Sequence, residues 1–132
     1  MTFDEIGLHD ELLEGLSCMG FEKATPIQEK TIPETLKGRD VIGCAQTGTG
    51  KTGAFILPIL HKIRTKGYTN TSTLIIVPTR ELALQIDQQV QGLGYFTGAT
   101  SITLYGGGKA GDFNEQKRAM ANGVDIIIAT PG

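Results

Sequence analysis

Ala45-Gln46-Thr47-Gly48-Thr49-Gly50-Lys51-Thr52 lies between two apolar runs, DVIGC at 40–44 and GAFILPIL at 53–60. Gly and Thr bury little apolar surface, and Lys resists burial. Such a stretch is either a plain loop or a place where backbone comes close to something charged. The flanking patterns bear on the choice. Residues 41–44 read as a short apolar strand. A helix is expected from near Lys51 to about Thr65, with Phe55, Ile59, Leu60 and Ile63 on its buried side. Strand before and helix after is the setting in which a glycine-bearing turn can wrap an anion.

Working outward, Leu12, Leu13, Leu16 and Met19 recur at helical spacing, so residues 9–19 are expected to form a helix ended by Gly20. Thr25-Pro26 reads as an N-cap and first helical position, opening a helix to Leu36 that Pro33 kinks or splits. Leu74, Ile75, Ile76 and Val77 form an apolar run stopped by Pro78, followed by a helix begun near Thr79 and marked by Leu82, Ile86, Val90 and Leu93. Residues 101–104 are a third strand. Asp112 with Glu115 resembles a helix start leading to about Asn122, and residues 124–129 are a fourth strand, apolar except for Asp125. Strands and helices alternate, and the strands are continuous apolar runs. That pattern predicts an α/β fold with a parallel sheet covered by helices on both faces. Ligands of such sheets bind at the carboxyl ends of the strands. AQTGTGKT, PTRE, YGGGK and TPG all follow strands, so four polar turns are expected on one edge.

The chain of 132 residues is long enough for one cored domain. No apolar run approaches the ~20 residues of a membrane span. The start, MTFDEIGLHDEL, is acidic and unlike a signal peptide, so a cytoplasmic protein is the default expectation. Residues 1–40 hold nine acids and four bases, residues 41–132 five acids and eight bases. An anion site is therefore expected in the second part, although solvated surface charge explains the same split. Cys18 and Cys44 have no disulfide or metal spacing and read as buried thiols in a reducing compartment, Cys44 packed under the 45–52 turn. His9 and His61 likewise read as structural.

AQTGTGKT fits the P-loop pattern, with Ala45 first and Gly50, Lys51 and Thr52 closing it. Glycines let backbone N–H groups wrap phosphates, Lys51 reaches the β- and γ-phosphates, and the Thr52 hydroxyl can bind Mg²⁺. Gln28, in GFEKATPIQ at 20–28, carries one donor and one acceptor on a single amide, matching the edge of adenine. Thr25-x-x-Gln28 is equally a capping box, and the pattern alone favours that cap.

Phe3, GFEKATPIQ, AQTGTGKT, PTRELA (78–83), Gly106-Gly107 and TPG (130–132) occur in the order and spacing of the DEAD-box RNA helicases, and the wording resembles a bacterial member. The resemblance covers the whole chain. It implies a partial, RecA-like P-loop domain over residues 1–132, the first of two in the parent, with a Q motif at about 1–29. In that family Gln28 would read adenine, reversing the preference for the cap, with Phe3 stacking nearby and Phe21, Lys23 and Thr25 supporting the pocket. Ala45, Gln46, Thr47, Gly48, Thr49, Gly50, Lys51 and Thr52 would hold ATP. Lys51 and Thr52 would take the catalytic positions, and Thr52 would meet Mg²⁺ through the nucleotide. Pro78, Thr79, Arg80, Gly106, Gly107, Thr130, Pro131 and Gly132 would grip the backbone of single-stranded RNA without reading sequence.

Duller readings stand beside these. Pro78-Thr79 also serves as strand stop and helix cap, Gly106 to Gly108 as a turn, and Arg80 as a partner for Glu81 or Asp87. In the family, an Asp-Glu-Ala-Asp box and a Ser-Ala-Thr motif come later, and neither occurs in these 132 residues. The chain is therefore expected to bind nucleotide without hydrolysing it, to leave a gap in its sheet or self-associate, and to need the second RecA-like domain for unwinding. The competing class is a non-catalytic nucleotide-binding or protein-interaction module of another P-loop type.

Overall fold

The computed structural model describes residues 1–106 and 110–132, and the side chains of 110–113 lie outside that description. Six helices and three strands follow in the order α1 (Phe3–Ile6), α2 (Asp10–Cys18), α3 (Pro26–Leu36), α4 (Lys51–Lys66), β1 (Thr73–Ile76), α5 (Arg80–Leu93), β2 (Ser101–Leu104), α6 (Ala110–Asn122) and β3 (Ile126–Ala129), among the described residues. A short 3₁₀ turn, Tyr95–Thr97, follows α5.

The strands form one parallel sheet in the order β1-β3-β2, with Thr73 and Ser101 both opposite Ile126. The β1–α5–β2 connection steps across the sheet in one direction and β2–α6–β3 steps back. Right-handed crossovers therefore place α5 and α6 on opposite faces. This is the α/β, RecA-like arrangement expected, in partial form. Asp125 brackets the start of the sheet. Its carboxylate accepts from the Thr100 N–H (2.9 Å) and hydroxyl (3.2 Å), and its carbonyl accepts from Ser72 and Thr73.

The core runs from α2 through α4 and α5 to the inner face of β3. Leu12, Ile32, Ile56, Leu57, Leu60, Val90, Ile126 and Ile128 are fully buried there. In α4 the deepest residues are Ile56, Leu57, Pro58, Leu60 and Ile63, while Phe55 and Ile59 are only partly buried. The helix is wedged against α3, α5 and α2, so its buried side is wider than a single stripe. Pro33 does not split α3, nor does Pro58 break α4. Packing on several sides compensates the one backbone bond each proline removes.

Several expectations need correction. Residues 41–44 form no strand, and Ile42 is 96% exposed. A strand exists only through a neighbour, and β1 pairs on one side alone, with β3. Between β1 and α4 lies the expected gap, a cavity of about 940 Å³. Its far wall includes Leu74 and Ile76, which are 62% and 66% exposed because α6 packs on β2 rather than on β1. Cys44, on the unpaired segment, is exposed, and so is Cys18; neither is a buried thiol. Asp112 falls inside α6, which begins at Ala110. The short helix α1 is an addition to the expected elements; Thr2 opens it, its N–H donating to Glu5 Oε2 at 2.7 Å.

The two histidines join α2 to α4. The His9 N–H donates to His61 Nδ1 (3.1 Å), and His9 Nδ1 accepts from the Glu11 N–H (3.2 Å), capping α2. Arg64 clamps the Glu11 carboxylate through Nε (2.6 Å) and Nη2 (3.1 Å). Burial, then the nearby His9 and Lys62, hold the His61 pKa below its ordinary value. The fold therefore prefers neutral His61. Its contribution to stability is complete above the ordinary value of about 6.5 and is lost progressively as pH falls from there toward the lowered value. The melting temperature should drop between pH 7 and 5.5, and His61→Asn, which retains an acceptor, should shrink that drop. An unchanged slope in the variant would contradict this assignment.

Candidate functional site

The turn at 45–52 is built by two glycines in the left-handed region, Gly48 (φ +81°) and Gly50 (φ +88°). Gly50 caps α4, which starts at Lys51. The amides of the first turn of α4 and the loop before it thus face one side, where the helix end is positive. Two internal bonds hold the loop closed. Thr49 Oγ1 donates to the Gln46 carbonyl and Lys51 Nζ to the Ala45 carbonyl, each at 2.5 Å. Lys51 therefore reaches back across the loop to its first residue.

Gln28 reaches this turn from α3. It is 8% exposed and is the sole buried polar side chain among the described residues. Its Oε1 accepts from the Thr25 N–H at 3.0 Å, and its Nε2 donates to the Gly50 carbonyl at 3.0 Å. The capping reading of Gln28 holds, and the same carboxamide also braces the first turn of α4 through Gly50. A Cβ at Gly50 would stand 2.6 Å from Gln28 Nε2, and one at Gly53 would stand 2.8 Å from it. The Thr25 hydroxyl faces the Gln28 N–H across the capping box but stops short of a full hydrogen bond, and is left buried without a partner. A buried orphan polar group on Thr25, itself part of this junction, marks a place where a polar ligand would gain a bond.

Phe3, Phe21 and Gln28 line the same cavity as Thr47, Gly50 and Lys51. Phe3 is only 4% exposed and packs into the core, so it supports the pocket floor rather than offering an open ring. Phe21 is the exposed aromatic of the pair. Lys23 is exposed; its backbone bridges Thr2, and Ala24 N–H bonds the Met1 carbonyl. Thr52 lies at the start of α4, half-buried. No cluster of three or more His, Cys, Asp or Glu able to hold a metal occurs among the described residues. Any Mg²⁺ here would depend on the Thr52 hydroxyl and on ligand oxygens.

The other three turns meet at the carboxyl edge of the sheet. Val77 N–H bonds the Ala129 carbonyl, and Thr130 N–H bonds the Leu104 carbonyl. This ladder puts Pro78-Thr79-Arg80, Tyr105-Gly106 and Thr130-Pro131-Gly132 side by side. A Cβ on Gly106 would come 3.8 Å from the Gly132 backbone. Thr79 does cap α5, accepting from Leu82 N–H at 3.2 Å. Arg80 pairs with neither Glu81 nor Asp87. Its guanidinium lies 4.3 Å over the ring of Tyr105, and Asp87 instead accepts from Ser101 and Gln91. Sequence reasoning misses Tyr105, whose one signal is an aromatic at a strand end before glycines. Gly107 lies outside the described residues. The 45–52 turn is not on this edge, because residues 41–44 do not join the sheet; it faces the edge across the cavity.

No helix among the described residues is long and apolar enough to cross a membrane. A family model described as DEAD/DEAH box helicase matches residues 25–132. The chain is 48% identical over 130 residues to the ATP-dependent RNA helicase CshA of Listeria monocytogenes, covering 98% of this chain and 24% of that protein. It is 47% identical over 131 residues to the DEAD-box ATP-dependent RNA helicase CshA of Bacillus anthracis (99% and 24%). The corresponding protein of Geobacillus kaustophilus is 44% identical over 131 residues (99% and 27%). The chain thus spans about a quarter of the length of these curated relatives. The matched span takes in Gln28, the 45–52 turn and the three turns of the sheet edge, and the chain belongs to the DEAD/DEAH box helicase family.

Proposed function

We propose that this chain is the nucleotide-binding, RNA-gripping front part of an ATP-dependent RNA helicase. The observation that carries the reading is the Gln28 carboxamide braced between Thr25 and Gly50. It couples a donor–acceptor pair suited to adenine directly to a turn shaped for phosphates. Residues 45–52 would hold the triphosphate, with Lys51 leaving the Ala45 carbonyl for a phosphate oxygen. Thr52 would hold Mg²⁺ together with the nucleotide. Gln28 would keep its Thr25 and Gly50 bonds and offer the adenine edge its second N–H and the second lone pair of its carbonyl oxygen.

The sheet edge would grip the RNA backbone through Thr79, Arg80, Gly106, Gly107 and the amides around Thr130, with Pro78 and Pro131 shaping the turns. Backbone amides and one guanidinium bind phosphates without reading bases. The trough between α4 and the free edge of β1 would receive further strands of a longer chain, and a second copy would compete for the same edge. A second RecA-like domain would complete the ATP site, and the working location would be the cytoplasm. These 132 residues contain no Asp-Glu-Ala-Asp acids to position an attacking water, so binding without turnover is expected of them alone.

Titration with fluorescent ADP and GDP in the presence of Mg²⁺ tests the reading. ADP should bind about five- to 150-fold more tightly than GDP, since one matched donor–acceptor pair is worth about 1–3 kcal/mol. Gln28→Ala should erase that preference. Equal binding of the two nucleotides by the unsubstituted chain would sink the adenine assignment, and steady phosphate release from ATP would sink the claim of binding alone.

A further inference from the structure

The stack of Arg80 on Tyr105 joins two of the three edge turns across the central strand. Tyr105 is the residue after β2, and Arg80 is the first residue of α5, after β1. Arg80 is exposed, while Tyr105 is partly buried. A guanidinium carries five N–H donors, all in its own plane. A carboxylate partner would consume two of them, whereas the Tyr105 ring, its centroid 4.3 Å from the guanidinium carbon, contributes no carboxylate acceptor. Glu81 and Asp87, the nearest acids in sequence, do not engage Arg80. The ring contact thus restrains the long side chain, and no salt bridge of Arg80 occurs among the described residues. Ordering that chain in advance also spares a binding partner the rotamer entropy it would otherwise oppose.

We infer that Tyr105 is a positioning residue, holding the Arg80 guanidinium edge-on for a bidentate contact with a nucleic-acid phosphate at the junction of the three turns. This rests on the RNA-backbone reading above. Tyr105 itself need not touch the RNA, and its hydroxyl is not required.

The test is fluorescence anisotropy with a labelled single-stranded RNA of mixed sequence, at several salt concentrations, on the 132-residue chain. Arg80→Ala should weaken binding about tenfold and lower the salt slope by about one phosphate contact. Tyr105→Leu should weaken it about two- to fivefold, the worth of an exposed cation–π contact. The same change in an Arg80→Ala background should do nothing further, and Tyr105→Phe should bind as the unsubstituted chain does. An equal loss from Tyr105→Leu in both backgrounds would overturn the inference, because the ring would then act without Arg80. So would an unchanged affinity in Tyr105→Leu alone. If Arg80→Ala changes nothing, the RNA-grip reading falls and the positioning role falls with it. Proton NMR separates these failures: the upfield shift of the Arg80 δ-methylene under the ring should vanish in Tyr105→Leu and persist in Tyr105→Phe.

Discussion

Gly50→Ala should lower nucleotide affinity at least tenfold and destabilise the chain by about 2 kcal/mol or more. Two costs add. At φ +88° an L-residue is strained by about 1–2 kcal/mol. The new Cβ would also stand 2.6 Å from Gln28 Nε2 and 2.9 Å from Thr25 Oγ1. Gln28 is buried and held at both ends of its amide, so it cannot move aside without giving up the Gly50 carbonyl. The proposed phosphate turn and the proposed adenine contact would then fail together. Gly48→Ala is the control. It carries a similar φ of +81°, but nothing lies within 4 Å of its Cβ, so it should show the strain without the loss of the Gln28 brace. Thermal melts and ADP titrations on both variants check this. A Gly50→Ala chain that melts and binds like Gly48→Ala would show that the Gln28 contact is unimportant.

Ile128→Ala should cost about 2–5 kcal/mol. The side chain is fully buried on β3, the strand between β1 and β2. A cavity there loosens the one element that registers the Pro78-Thr79-Arg80, Tyr105-Gly106 and Thr130-Pro131-Gly132 turns, so RNA affinity should fall along with stability. Leu74→Ala, at a position 62% exposed on β1, should change stability by less than about 0.5 kcal/mol. Urea denaturation of the two variants separates them. Similar midpoints would mean that the core does not close on β3 as described.

The local parts of this molecule are legible in the order of its residues. Thr79 and Thr25 cap helices because their side chains and N–H groups are near neighbours in sequence. The glycines of 45–52 adopt positive φ because the turn into α4 demands it of whatever residue stands there. The apolar runs that form β1 and β3 announce buried parallel strands by lacking alternation, while β2, SITL, alternates and is placed by its pairing with β3. Other readings fail for a common reason. Residues 41–44 have the composition of a strand but pair with no neighbour, although β1 has a free edge, so Ile42 and Cys44 stand in solvent. Asp112 has the look of a cap, yet α6 begins two residues before it.

What the amino-acid order determined alone was the set of short-range commitments: where helices are capped and which turn takes positive-φ glycines. Each depends on groups within about four residues of one another. The tertiary structure decided the strand order β1-β3-β2, the gap between α4 and β1, the burial of Phe3, the double duty of Gln28 and the stack of Arg80 on Tyr105. The strand pairings, the Gln28–Gly50 bond and the Arg80–Tyr105 contact join residues 22 or more apart in the chain. No local preference encodes them, because a distant pair meets only when the packing of everything between them has already fixed the path.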